Sequence, residues 1–141
     1  MANIYHNITV KAPIGKVYEV ISKLDGLKNW WTTDTSGNSE KGGELRFGFG
    51  GEMFNKMKVT GSEKNKSVNW KCVDGPSDWI GTNLSFILSE DKNKNTIVKF
   101  EHNDWKEAND FYGNCNFHWG RYMQSMQALC ETGKGSPHIV K

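Results

Sequence analysis

Residues 96–133 read TIVKFEHNDWKEANDFYGNCNFHWGRYMQSMQALCETG, and the hydrophobic period changes within them. Thr96, Val98, Phe100 and His102 share one face of an alternating run, which is the pattern of a half-buried strand. After Asp104-Trp105 the chain becomes irregular. Cys115, Trp119, Tyr122 or Met123, Met126, and Leu129 or Cys130 then recur as one apolar stripe, the pattern of a long helix that buries a single side. Gly133 is suited to close that helix in the left-handed conformation. A strand and a helix each with one apolar face need a common core, so the next question is how many strands precede this one.

Upstream the alternation repeats. Leu45, Phe47 and Phe49 share a face, then Met53, Met57 and Val59, then Val68, Trp70 and Cys72, then Leu84, Phe86 and Leu88. The connections are Gly50-Gly51, SEKNK, DGPSD and DKNKN, all turn formers, so consecutive strands pair antiparallel. At the start, Ile4, Ile8 and Val10 alternate with His6 on their face, and Ala12-Pro13 leads into a helix carrying Val17, Tyr18, Ile21 and Leu24. Asp25-Gly26 is expected to break that helix. Leu27 to Trp31 reads as a second short helix ending in a Trp pair, and the polar stretch TTDTSGNSEKGG as a surface loop. The expected fold is α+β: a curved antiparallel sheet of six or seven strands, two short helices after the first strand, and one long C-terminal helix. That helix is the only element long enough to cover the sheet. All 141 residues fit one domain, 1–141, with a tail expected to fray from about residue 134.

Composition narrows the function. A net charge of +2 with scattered Lys and Glu leaves no electrostatic footprint for nucleic acid. No run approaches the apolar length of a membrane span. The opening MANIYHNITVKAP predicts no signal peptide. Cys72, Cys115 and Cys130 are widely spaced and odd in number, so they read as free thiols in a reducing cytoplasm. Six Trp, seven Phe and four Tyr, 12% of the chain, imply an aromatic core or an aromatic pocket.

The pieces resemble a known family in their order and spacing: ITVKAP followed by KVYEVI, NWW at Asn29–Trp31, GGELRF at Gly42–Phe47, VNWKCVDGP around Trp70, TIVKFEHNDW at Thr96–Trp105, and HWGRYMQSMQALCETGKG. Together they are similar to the START-like superfamily, also called the helix-grip or birch-pollen-allergen fold. Within it they resemble most the homologues of the activator of heat-shock protein 90 ATPase. The resemblance implies the helix-grip fold and a cavity between sheet and helix. Members of the superfamily carry lipids, hormones and polyketides, and a few are enzymes, so it does not imply one activity.

The inward faces predict a pocket bounded by Trp30 or Trp31, Phe47, Met57, Trp70, Phe86, Phe100, His102, Trp119 and Met123. Methionines at 53, 57, 123 and 126 favour irregular space over a filled aliphatic core. The expected occupant is a small apolar or amphipathic molecule. His102 is the one titratable group on an inward strand face. It reads either as a ligand anchor or general base, or as a buried imidazole bonded to a carbonyl or a tyrosine. Cys115 and His118 lack the spacing of a metal site, Cys115 has no visible base to activate it, and no cofactor motif is present. FGFGGE is not followed by a helix and so is no phosphate loop. Two alternatives stand beside ligand carriage: a cyclase- or hydrolase-like enzyme using the same cavity, with His102 and Tyr122 as its groups, and a surface that docks a chaperone partner.

Overall fold

A computed structural model describes all residues, 1–141. The elements run β1 (Ala2–Val10), α1 (Ile14–Ser22), α2 (Leu24–Trp30), β2 (Asp34–Gly37), β3 (Glu44–Gly48), β4 (Phe54–Glu63), β5 (Ser67–Asp74), β6 (Asn83–Glu90), β7 (Thr96–Trp105) and α3 (Asp110–Thr132). The seven strands form one antiparallel sheet in the order β1-β7-β6-β5-β4-β3-β2. Only the β1–β7 pair is non-sequential, because α1 and α2 carry the chain from one edge of the sheet to the other. The long helix α3 lies across the concave side. No helix is long and apolar enough to cross a membrane.

Side-chain alternation sets the inward face as expected. Leu45 and Phe47, Met57 and Val59, Val68, Trp70 and Cys72, Leu84, Phe86 and Leu88, and Val98 and Phe100 are all buried. On α3 the ambiguous positions resolve to Met123 and Cys130 inside, with Tyr122 and Leu129 half-buried. Trp119 and Met126 are buried against the sheet side. The helix starts where Asn109 accepts the Tyr112 N–H on its side-chain oxygen, and it ends at Gly133 in the left-handed conformation.

Several local details depart from what the pattern alone implies. The polar stretch after Trp31 is not all loop: Asp34–Gly37 forms a short edge strand paired with β3. Thr32 anchors it by donating its hydroxyl to the Gly48 carbonyl. Met53 does not continue the inward face of β4. It sits on the Gly50-Gly51 turn and is exposed, while Asn55 takes the buried position. Phe49 lies just beyond β3 and is half-buried. Past His102 the alternation breaks, because β7 advances three residues where β1 advances two, from Ile4↔His102 to Ala2↔Trp105. Asp104 takes a positive φ of 72° there, and the bulge turns Trp105 into the core.

The tail is also held rather than frayed. His138 bridges Thr32, its N–H bonding the Trp31 carbonyl and its carbonyl accepting from Thr33 N–H. Ser136 N–H donates to Ser125 Oγ, which in turn donates to the Trp30 carbonyl. Finally, Gly26 does not end a helix but lies inside α2. A Cβ there would sit 2.3 Å from the Val20 carbonyl oxygen, so glycine lets α2 press against the end of α1. The contact is with backbone and cannot be relieved by a rotamer change.

This packing generates two expectations. Gly26→Ala, which in an isolated helix would gain about 1 kcal/mol from propensity, is expected to destabilise the protein, measured as a lower denaturant midpoint. A neutral or stabilising result would show that the α1–α2 junction yields. Phe100→Ala, at the centre of the inward face, is expected to lower stability by about 3–5 kcal/mol. A loss under about 1 kcal/mol would count against its burial.

Candidate functional site

The ten residues expected to bound a pocket are buried, and the aromatic ones pack on one another. Trp31 lies 4.2 Å from Phe47 between ring centroids, 5.0 Å from Trp119, and is stacked on Trp70 at 6.0 Å. Phe100 is 4.5 Å from Trp119 and 5.0 Å from Phe86. All ten are buried, including Trp30, Met57, His102 and Met123. Eight of them form continuous core. Trp31 and Trp119 also reach the wall of a cleft of about 590 Å³ that opens to solvent beside the first half of α3.

The cleft is built from five chain segments. Trp31 closes it from the end of α2. The β3–β4 hairpin contributes Phe49, Met53, Phe54 and Asn55, with Glu52 at the rim. The β5–β6 turn contributes Asp74, Gly75, Pro76 and Trp79. Helix α3 supplies Phe111, Cys115, His118, Trp119 and Tyr122 one turn apart, and His138 of the tail completes the edge. Sequence periodicity could not find most of these residues, because they lie in turns, at a helix start and in the tail, where no alternation assigns a face. One signal was present: a Trp placed directly after the DGPSD turn.

Trp79 and Trp119 form one wall. They are stacked with centroids 6.0 Å apart and planes at 17°. Behind them, His102 holds both. Trp119 Nε1–H can only donate, so the 3.1 Å contact makes His102 Nδ1 an acceptor. The proton is therefore on Nε2, which donates to Thr82 Oγ1 at 2.8 Å. Thr82 passes its own hydroxyl proton to the Trp79 carbonyl at 2.6 Å. The imidazole is fully buried and edge-on to Trp79 at 4.8 Å, and burial pushes its pKa down to about 3. Both nitrogens are thus occupied by protein partners, and His102 has no lone pair or proton to offer a molecule in the cleft. It bonds a threonine and an indole, where the sequence favoured a carbonyl or tyrosine.

The polar groups that face the cleft differ in kind. Asn55 is 3% exposed, and its Oδ1 has no hydrogen-bond partner. A buried amide oxygen left alone is an uncompensated desolvation of about 1–3 kcal/mol. Trp79 Nε1 also has no partner at hydrogen-bond geometry. It faces the Cys115 thiol, whose pKa burial raises, with the indole N–H opposing part of that rise and the Asp78 charge adding to it. A thiol in this setting stays protonated at neutral pH and is a poor nucleophile. Burial likewise raises the Tyr122 pKa, partly offset by the Arg121 guanidinium. No three His, Cys, Asp or Glu side chains converge as metal ligands, and Cys115 and His118 meet no third.

Compared with known proteins, the chain matches the family model described as Activator of Hsp90 ATPase homolog 1-like protein over residues 11–131. Among solved structures it is similar to the Aha1 dimer from Colwellia psychrerythraea, with a TM-score of 0.86 and 37% identity over 96% of this chain and 100% of that one. Protein MLL2253 from Mesorhizobium loti superposes with a TM-score of 0.77 at 13% identity, covering 91% of this chain and 96% of that one. DynU16, from the dynemicin biosynthetic locus, gives 0.77 at 16% identity, covering 99% of this chain and 51% of that one. The last two likenesses are of fold alone. No curated protein matches the chain.

The His102 cluster predicts a pH signature. An unfolded imidazole titrates near 6.5, whereas the folded one is held at about 3. Between those values the unfolded chain binds a proton that the fold refuses. The stability tied to this site is therefore complete above pH 6.5 and is lost as pH falls toward 3. Denaturation midpoints below pH 6.5 are expected to fall more steeply for wild type than for His102→Gln, by up to about 1.4 kcal/mol per pH unit. Parallel pH profiles would show that the imidazole accepts a proton in the native state.

Proposed function

We propose that this chain, which belongs to the Activator of Hsp90 ATPase homolog 1-like family of the START-like superfamily, binds a small apolar or amphipathic molecule in this cleft. The observation that carries the proposal is the unpaired amide oxygen of Asn55 buried in the wall of a largely aromatic cleft of about 590 Å³. Natural folds keep few such groups, and one left in a concave apolar site is suited to a ligand donor. Phe49, Phe54, Phe111 and Tyr122 offer accessible ring surface to a flat ligand, and the buried Trp31, Trp79 and Trp119 complete the aromatic wall. The remaining residues expected from the sequence, Phe47, Trp70, Phe86 and Phe100 among them, shape the floor from behind. His102 acts through the two tryptophans it bonds. Three buried free thiols suit a reducing cytosol, and we place the protein there.

The family's description favours a second reading, in which the chain docks on an Hsp90-type chaperone. Exposed Phe117 and Ile80, which lie outside the cleft lining, are candidates for such a surface. Stimulation of a chaperone ATPase by the purified chain, undiminished by changes inside the cleft, would support it over ligand carriage.

The two readings separate on Asn55. Ligands drawn from fatty acids, sterols, flavonoids and polyketides are expected to quench tryptophan fluorescence and to raise the melting temperature. Asn55→Leu removes an unsatisfied polar group at similar volume, so its unliganded stability is expected to equal or exceed wild type. The same change is expected to weaken hydrogen-bonding ligands by about tenfold. A panel in which nothing quenches or stabilises would overturn ligand carriage, and native mass spectrometry of gently purified protein provides an independent check.

A further inference from the structure

Resting on the cleft as a ligand site, we propose that its ligand is an amphipathic anion, whose charged head lies over Arg121 in a polar groove continuous with the apolar cleft. The groove, of about 610 Å³, runs between the middle of α3 and the C-terminal tail. It shares His118, Tyr122 and His138 with the cleft, so the two spaces meet across those three side chains. Their linings contrast. The cleft is walled by aromatic carbon, whereas the groove is lined by Arg121, Gln124, Ser125 and Ser136 around the shared residues.

Charge gives the pair of spaces a direction. Among the groove residues Arg121 is the one fixed charge, and no carboxylate lines the groove. The chain's two ion pairs are Arg46–Asp34 and Lys66–Glu63, so Arg121 is matched by neither. Its field reaches the Tyr122 phenol at the junction. The carboxylates of the site, Glu52 and Asp74, line the cleft and not the groove. A negative head is therefore repelled at the hairpin rim and attracted at the tail end, with the apolar body lying along Trp31 and Trp119 between them. An uncharged apolar ligand would use the cleft alone and leave the guanidinium solvated.

The tail makes the groove a built feature. The groove's outer wall is residues 136–139, and this segment is pinned by the Ser136–Ser125 and His138–Trp31 hydrogen bonds. A Cβ on Gly135 would meet the Asn29 carbonyl at 2.4 Å, so the tail packs closely where it leaves the helix.

Two fluorescent probes with the same aromatic body test the inference: 1-anilinonaphthalene-8-sulfonate, which carries an anion, and N-phenyl-1-naphthylamine, which does not. Wild type is expected to bind both, the anion more tightly, with added salt weakening only the anion. Arg121→Gln, at an exposed position outside the core, is expected to weaken the sulfonate about fivefold, the worth of a partly screened ion pair, and to leave the neutral probe unchanged. If both probes bind and Arg121→Gln alters neither, the anionic head is wrong while the cleft reading stands. If neither probe binds, both fall. Arg121→Lys is expected to restore most of the sulfonate affinity, which a structural role for the guanidinium would not explain.

Discussion

The hydrogen bond from Trp119 to His102 joins the helix to the sheet, and the aromatic interior is arranged around it. Trp119 comes from α3 and His102 from the central part of β7, and neither polar nitrogen can reach water. Burying an indole N–H and an imidazole is tolerable only when each finds a partner. Because the indole can only donate, the imidazole must be neutral and must present Nδ1. That requirement sends its proton to Thr82 and, through Thr82, ties the β5–β6 turn to the same point. One unprotonated nitrogen thus links three segments that are distant in sequence.

The same linkage explains why there is a cleft instead of a closed core. Trp79 and Trp119 are stacked and fixed by a shared bonding chain, so they form a stiff wall that does not collapse toward the β3–β4 hairpin. The hairpin approaches from the other side with Asn55, whose amide oxygen finds no partner. Packing on the sheet side is dense, with Phe47, Trp70, Phe86 and Phe100 in contact across the strands. Interior space is therefore confined to the end where the helix begins and the turns meet it. The pinned tail extends that space along α3 and changes its lining from carbon to polar atoms and a cation.

The proposed binding role rests on which groups the cleft leaves free to meet a ligand. His102 has both nitrogens engaged, and burial keeps the thiol of Cys115 protonated. What the cleft presents to a visitor is ring surface, an amide acceptor and, at its far end, a guanidinium. In the proposed reading these are the recognition elements.

The fold was legible in the sequence because it depends on periodicity. Alternation at two residues in six strands, and a stripe at helical spacing from Cys115 to Cys130, determined which side chains meet and hence the helix-grip arrangement. Residues such as Trp70, Phe86, Phe100 and Trp119 could be placed inward by counting alone. What counting could not see were the departures from period: the bulge at Asp104 that turns Trp105 inward, the exchange of Met53 for Asn55 after a Gly-Gly turn, and the Gly26 contact that joins two helices instead of ending one. The candidate site is made almost wholly of such departures. Trp79, Phe111 and His138 lie in a turn, at a helix start and in the tail, Asn55 takes its face from the Gly-Gly turn before its strand, and their meeting depends on long-range contacts that no local pattern encodes. Tertiary structure alone decided that eight of the ten inward residues pack shut while the other two, Trp31 and Trp119, also reach the wall of a cleft. The reason is geometric: a curved sheet and a straight helix can close against each other along most of their length, but not at the end where the turns hold them apart.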